Sequence, residues 1–254
     1  MPCFDHTSQG TRTIAITLIW SEIMFKENIV LFKYKNSVLF FLIPCLILSA
    51  ACVSNTRPQT THDGLVLVPD TKFSAVYKKP NAQLSEYKKF AIVTCQVVFK
   101  KNWLKDQNYN RNLSQRISQK DVDRIKKALS TECDKHFKEV LLQEPSYPLT
   151  NTIDKDKPVL ILRPSIINLE INAPDVLSPG RTRTYTTSAG EMTLFLELID
   201  NRTGDILARV VDKRRGLDSG RMQWTNSITN RAEAERILGN WARLLRKGLD
   251  AVYE

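Results

Sequence analysis

The feature that most constrains this chain is a pair of apolar-patterned runs, "EMTLFLELID" and "GDILARVVDK", on either side of Asn201-Arg202-Thr203-Gly204. Met192, Leu194, Leu196 and Leu198 occupy alternate positions, and so lie on one side of an extended chain. The tetrapeptide between the runs carries turn residues, so the two runs read as the arms of a β-hairpin. A lone hairpin with one wholly apolar face is at best marginal in water, and other elements must cover it.

Two segments have the pattern to do so. Ser118 and Asp121 form a capping box ahead of Val122, Ile125, Leu129, Cys133, Phe137 and Val140. These apolar residues recur at helical spacing and predict one amphipathic helix to about Gln143. A second is expected from near Asn230, with Glu233 in its first turn, through Ile237, Leu238, Trp241, Leu244, Leu245 and Leu249. Further strands precede them. "KKFAIVTCQVVFK" places Ala91, Val93, Cys95, Val97 and Phe99 on one face. "PVLILRPSIINLEIN" reads as a strand region interrupted at Pro164, which points to an edge position or a bulge. The order of elements predicts an α+β fold, a small, mostly antiparallel sheet with two amphipathic helices packed on one face.

The most hydrophobic stretch stands outside that pattern. Lys26, Lys33 and Lys35 precede an uncharged run from Val38 to Ala51, and Ser49, Ala50 and Ala51 lead into Cys52. This is the three-part layout of a bacterial secretory signal. The run has 14 residues, below the roughly 18 expected of a membrane-spanning helix, and Pro44 interrupts it. Small residues before a cysteine resemble a lipobox, in which Cys52 would be acylated and become the mature N-terminus. Ser49 departs from that pattern, which has an aliphatic residue three positions before the cysteine. The expected organisation is residues 1–23 as a mis-called start region, 24–51 as the signal, 52–64 as a flexible polar tether, and 65–254 as one α+β domain.

The formal net charge is +10; residues 1–52 hold four basic and three acidic residues, so +9 belongs to residues 53–254. Such an excess favours an anionic partner: a lipid surface, a glycan or an envelope protein. A basic solvated surface with no specific partner accounts for it equally. Neither zinc-finger spacing nor an aromatic RNA-binding signature occurs, so nucleic acid is not expected.

With Cys52 acylated, Cys95 and Cys133 remain as a pair. They read either as a disulfide, contributing on the order of 3–4 kcal/mol by chain entropy, or as two buried thiols. Catalytic patterns are absent: no metal spacing, nucleophile elbow or phosphate loop, so neither catalytic residues nor a cofactor or metal is expected. His62 falls in the tether, and His136 reads as a helix-boundary residue. "SPGRTRTYTTSAGEM" offers Arg181, Arg183 and Tyr185 on one face of an extended chain, and "DSGRMQWTNS" adds Arg221. Two arginines beside a tyrosine can grip a phosphate or carboxylate. The same residues also serve as a charged guard on a hairpin edge.

"LVLVPDTKFSAVYKKP", "VLILRPSIINLEINAP", "RTYTTSAGEMTLFLELID" and "MQWTNSITNRAEAERIL" resemble the bacterial putative lipoprotein family known as domain of unknown function 3313, from about Leu65 to Leu249. The resemblance implies an exported lipoprotein and carries over no activity, ligand or site residue. Val53 follows the lipobox-like cysteine in place of an inner-membrane-retaining Asp, which favours the outer membrane. The expectation is a non-enzymatic envelope lipoprotein used for binding or assembly. The alternatives are a periplasmic enzyme with a site scattered in sequence, or a structural component of an envelope complex.

Overall fold

A computed structural model describes residues 57–154, 156–174, 184–217, 221, 223–225 and 227–253; the expected signal and Cys52 lie outside them. Seven strands form one mixed sheet: β1 (Val66–Val68), β2 (Ala75–Lys78), β3 (Lys89–Ile92), β4 (Gln96–Phe99), β5 (Val159–Ile171), β7 (Gly190–Asp200) and β8 (Ile206–Arg215). Their order is β1-β2-β8-β7-β5-β3, with β4 also paired to β5. Only β3 and β4 run parallel to β5; the other pairings are antiparallel. A separate ribbon joins β6 (Thr184–Thr186) to β9 (Gln223–Thr225). The helices are α1 (Trp103–Asn108), α2 (Gln119–Leu141) and α3 (Ser227–Tyr253). The fold is α+β with a mostly antiparallel sheet.

The predicted hairpin is β7–β8. Its turn closes through the Asp200 carboxylate, which accepts from the backbone N–H of Arg202 and the hydroxyl of Thr203. Gly204 takes the left-handed φ of +75° that the corner requires. The alternating leucines enter one core with Leu160, Leu162 and Ile166 of β5. Phe137 and Leu141 of α2 and Leu238 and Trp241 of α3 cover them, so both long helices lie on one face. The Ser118–Asp121 capping box forms as expected. The last helix begins at Ser227, ahead of the expected Asn230.

Two strand expectations change. "KKFAIVTCQVVFK" is not one strand but two, broken at residues 93–95. Phe90 is buried while Val93 is 38% exposed, because α2 takes over the backbone at the break. Cys95 N–H donates to Asp134 Oδ1 at 2.8 Å, and Ser130 Oγ donates to the Cys95 carbonyl at 2.6 Å. The sulfurs of Cys95 and Cys133 stand 2.16 Å apart, with Cα atoms 6.2 Å apart, so a bridge lies beside the two hydrogen bonds. Pro164 sits in a central strand, not at an edge. Leu162 carbonyl accepts from Val93 N–H on the parallel side. Pro164, two residues on, faces the same side, where the β3–β4 break leaves no ladder carbonyl in need of the N–H that proline lacks.

On the sheet's opposite face the chain from Gln59 onward joins the fold, although residues 52–64 read as tether. Leu67 N–H donates to the Gln59 carbonyl, and Leu65 packs with Ala75 and Tyr77. Asp63 accepts from Arg209 Nη1 and Nη2 at 3.1 and 2.6 Å. Arg209 also donates to Glu197 Oε1, while Arg163 donates to Glu197 Oε2. The Arg209 guanidinium, helped by the Thr61 hydroxyl, holds the Asp63 carboxyl well below the ordinary range.

Two measurements check this arrangement. Thiol alkylation without reductant should label neither Cys95 nor Cys133, and replacing both by Ser should cost about 3–4 kcal/mol in urea unfolding; labelling of both rejects the bridge. Because the folded-state pKa of Asp63 is depressed, its stabilisation is present above the unfolded value of about 3.9 and lost as pH falls below it. The stability gap between wild type and Asp63→Asn should therefore be full near neutrality and close steadily below about pH 4.

Candidate functional site

Beside residues 124–132 of α2 lies a cavity of about 730 Å³, lined by both long helices and by the sheet. Its floor is apolar: Leu129 of α2, Leu169 of β5, Met192 of β7 and Ile237 of α3. Several wall positions carry small residues: Ala128, Ala189, Gly190, Gly216 and Ala234. Farther along, the helices are held together. Arg246 of α3 caps the end of α2 by donating to the carbonyls of Val140, Gln143 and Pro145, and its guanidinium lies over the Tyr147 ring.

The β5–β7 end of the wall is built around a backbone irregularity. The register shifts between Ile167 and Glu170, and Asn168 adopts φ +51°. Gly190 meets this bulge with φ +142°; a Cβ there would stand 1.9 Å from the Glu170 carbonyl oxygen. Asn172 Nδ2 donates to the Ser188 carbonyl, and Ser188 Oγ donates to that of Gly216, which fixes the adjoining loops.

The cavity's carboxylates are matched by cations. Glu170 pairs with Lys100, Glu191 with Lys213, and Glu132 with Arg231. Glu233 pairs with Arg236 at 2.6 Å, and that contact, with the Leu217 backbone N–H, holds its pKa below the ordinary value and away from neutrality. Lys127 lines the cavity, is exposed, and enters no ion pair among the described residues. Three buried polar atoms near the helix seam have no hydrogen-bond partner among the described residues: Glu132 Oε2, His136 Nε2 and Asn230 Oδ1. A buried polar group left without a partner costs about 1–3 kcal/mol. Among the described residues no group of three His, Cys, Asp or Glu side chains could hold a metal ion.

Of the anion-binding candidates, Arg181 and Arg183 lie outside the described residues. Tyr185 pairs in register with Trp224 across the β6–β9 ribbon, and Arg221 is exposed just before β9. The two polar stretches singled out in the sequence are thus neighbours in space. The cavity itself was not legible in the sequence. Its signal, small residues scattered between Ala128 and Ala234, has no local period.

Gly190→Ala should lower stability by at least about 1–3 kcal/mol in urea unfolding, since the added Cβ meets backbone and the φ is strained.

No curated protein matches this sequence. Among solved structures the chain is similar to the PelC dodecamer from Paraburkholderia phytofirmans at 9% identity, covering 67% of this chain and 96% of that one, with a TM-score of 0.32. A putative neuraminyllactose-binding hemagglutinin homolog from Helicobacter pylori is similar at 11% identity, covering 68% and 96%, with a TM-score of 0.36. Likenesses at this level carry no argument about function. The family model for Protein of unknown function (DUF3313) matches residues 65–245, from the buried Leu65 to Leu245 of the last helix, and the chain belongs to that family.

Proposed function

We propose that this protein is a lipoprotein of the bacterial cell envelope, acylated at Cys52 and facing the periplasm from the outer membrane, whose domain binds a small anionic amphiphile without transforming it. The membrane assignment is supported by the basic, apolar and small-residue succession from Lys26 to Cys52. The binding reading is carried by one observation, the apolar-floored cavity lined by both long helices, with the exposed Lys127 in its lining. Its volume of about 730 Å³ lies within the range of about 300–1,000 Å³ typical of small-molecule sites. An apolar body would cover Leu129, Met192 and Ile237, and an anionic head would reach Lys127. Binding without chemistry is favoured over catalysis because the lining carboxylates are engaged by Lys and Arg.

Displacement of a fluorescent apolar dye from the purified protein tests the reading. Dodecanoate should displace it more strongly than dodecylamine, Ala234→Phe should abolish displacement with the thermal transition retained, and Lys127→Glu should erase the preference for the anion. Failure of both amphiphiles to bind rejects the proposal. Hydroxylamine-sensitive and amide-linked acyl groups on Cys52, found by mass spectrometry of membrane-extracted protein, test the anchor separately.

A further inference from the structure

The two most exposed large hydrophobic side chains among the described residues are Leu113 at 82% and Tyr109 at 81%. They belong to one loop, and the loop is built rather than slack. Asn108 closes its neck, its Nδ2 donating to the Ile117 carbonyl at 2.9 Å while its Oδ1 accepts from the Ile117 N–H at 2.8 Å. Ile117 is buried with Trp103 and Val122, which anchors the base. Within the loop Arg111 donates to the carbonyl and side-chain oxygen of Gln107, and Arg116 donates to the Arg111 carbonyl. A compact loop of this length, packed by its own polar groups, holds its tip in place. Here the tip it holds is apolar and faces water.

The surroundings are strongly basic. Residues 100–120 contain Lys100, Lys101, Lys105, Arg111, Arg116 and Lys120 against one acid, Asp106. Of the six cations only Lys100 is in an ion pair among the described residues, with Glu170. Beside the neck lies a shallow cleft of about 510 Å³ with Lys100, Lys105 and Lys126 on its walls. Phe99 stacks on Trp103 there, ring centroids 4.2 Å apart. Asn108 belongs both to this cleft and to the neck, so cleft and loop are continuous.

We propose that this loop and cleft form a docking surface for an anionic phospholipid bilayer. Leu113 and Tyr109 enter the headgroup boundary, where the amphipathic tyrosine ring is at home. Lysine and arginine side chains around them meet lipid phosphates; each basic residue near such a surface contributes a factor of about five in binding. Nucleic acid would use the same cations but offers no environment for an outward-facing Leu113. This surface is independent of the cavity and its ligand, and it gives the folded domain itself a second membrane contact.

Amide hydrogen exchange over residues 108–117, read on the full chain in lipid nanodiscs, tests it. Exchange should be about tenfold slower in phosphatidylglycerol-containing discs than in phosphatidylcholine discs. Tyr109→Ser with Leu113→Ser should remove the slowing, and so should Lys101→Gln with Lys105→Gln, exposed positions that leave the loop's internal hydrogen bonds intact. Raising salt to 1 M, where screening acts within about 3 Å, should weaken it. Equal exchange in the two disc types overturns the proposal, as does slowing that neither double variant changes. Slowing by single-stranded RNA without slowing by anionic discs also overturns it, and reassigns the surface to nucleic acid.

Discussion

A carboxylate buried between the sheet and the last helix ties the two layers of the domain together. Asp212 of β8 accepts from Ser74 N–H and Ser74 Oγ at 2.7 and 2.6 Å, from Arg214 Nε at 2.6 Å, and from Trp241 Nε1 at 2.7 Å. The side chain is 1% exposed. Removing any one partner would leave part of a buried charge unmatched, a costly state in a low-dielectric interior. The group therefore ties the entry to β2, the strand β8 and the rotation of α3 to one another. Once α3 is set by Trp241, its apolar stripe lies over the alternating leucines of β7.

A second constraint sets the other helix. At Cys95 the sheet surrenders its ladder, and α2 supplies Asp134 and Ser130 to the stranded backbone groups with Cys133 alongside. Both fixings act on the middle and far part of the helix pair, and Arg246 closes the end of α2. The opposite end has small side chains and unmatched polar atoms. The cavity lies there, and the Arg231–Glu132 pair crosses from one helix to the other beside it.

The functions proposed for this chain fall on places that do not look alike in sequence. A lipid anchor at Cys52 would determine where the domain works, the apolar cavity what it holds, and the basic loop how the folded body lies against a surface. The residues that suggest the first are contiguous in sequence. The other two arise from residues brought together by packing, and only the charge excess of residues 53–254 hints at the last.

What the sequence determined by itself were the properties set by local period and local chemistry. The leucine alternation of β7, the turn at Asn201–Gly204, the Ser118–Asp121 cap and the stripe of α2 each follow from neighbours a few residues apart. Those suffice for the α+β class and for two helices on one face. Tertiary structure alone decided where strand pairing stops. Phe90 replaces Val93 in the core because α2 captures Cys95, and Pro164 is tolerated in a central strand because its neighbour is broken opposite it. It also decided that residues after Gln59 close the back of the sheet through Asp63 and Arg209, 146 positions apart. Such contacts depend on which side chains long-range packing brings within a few ångströms, and no local period encodes that.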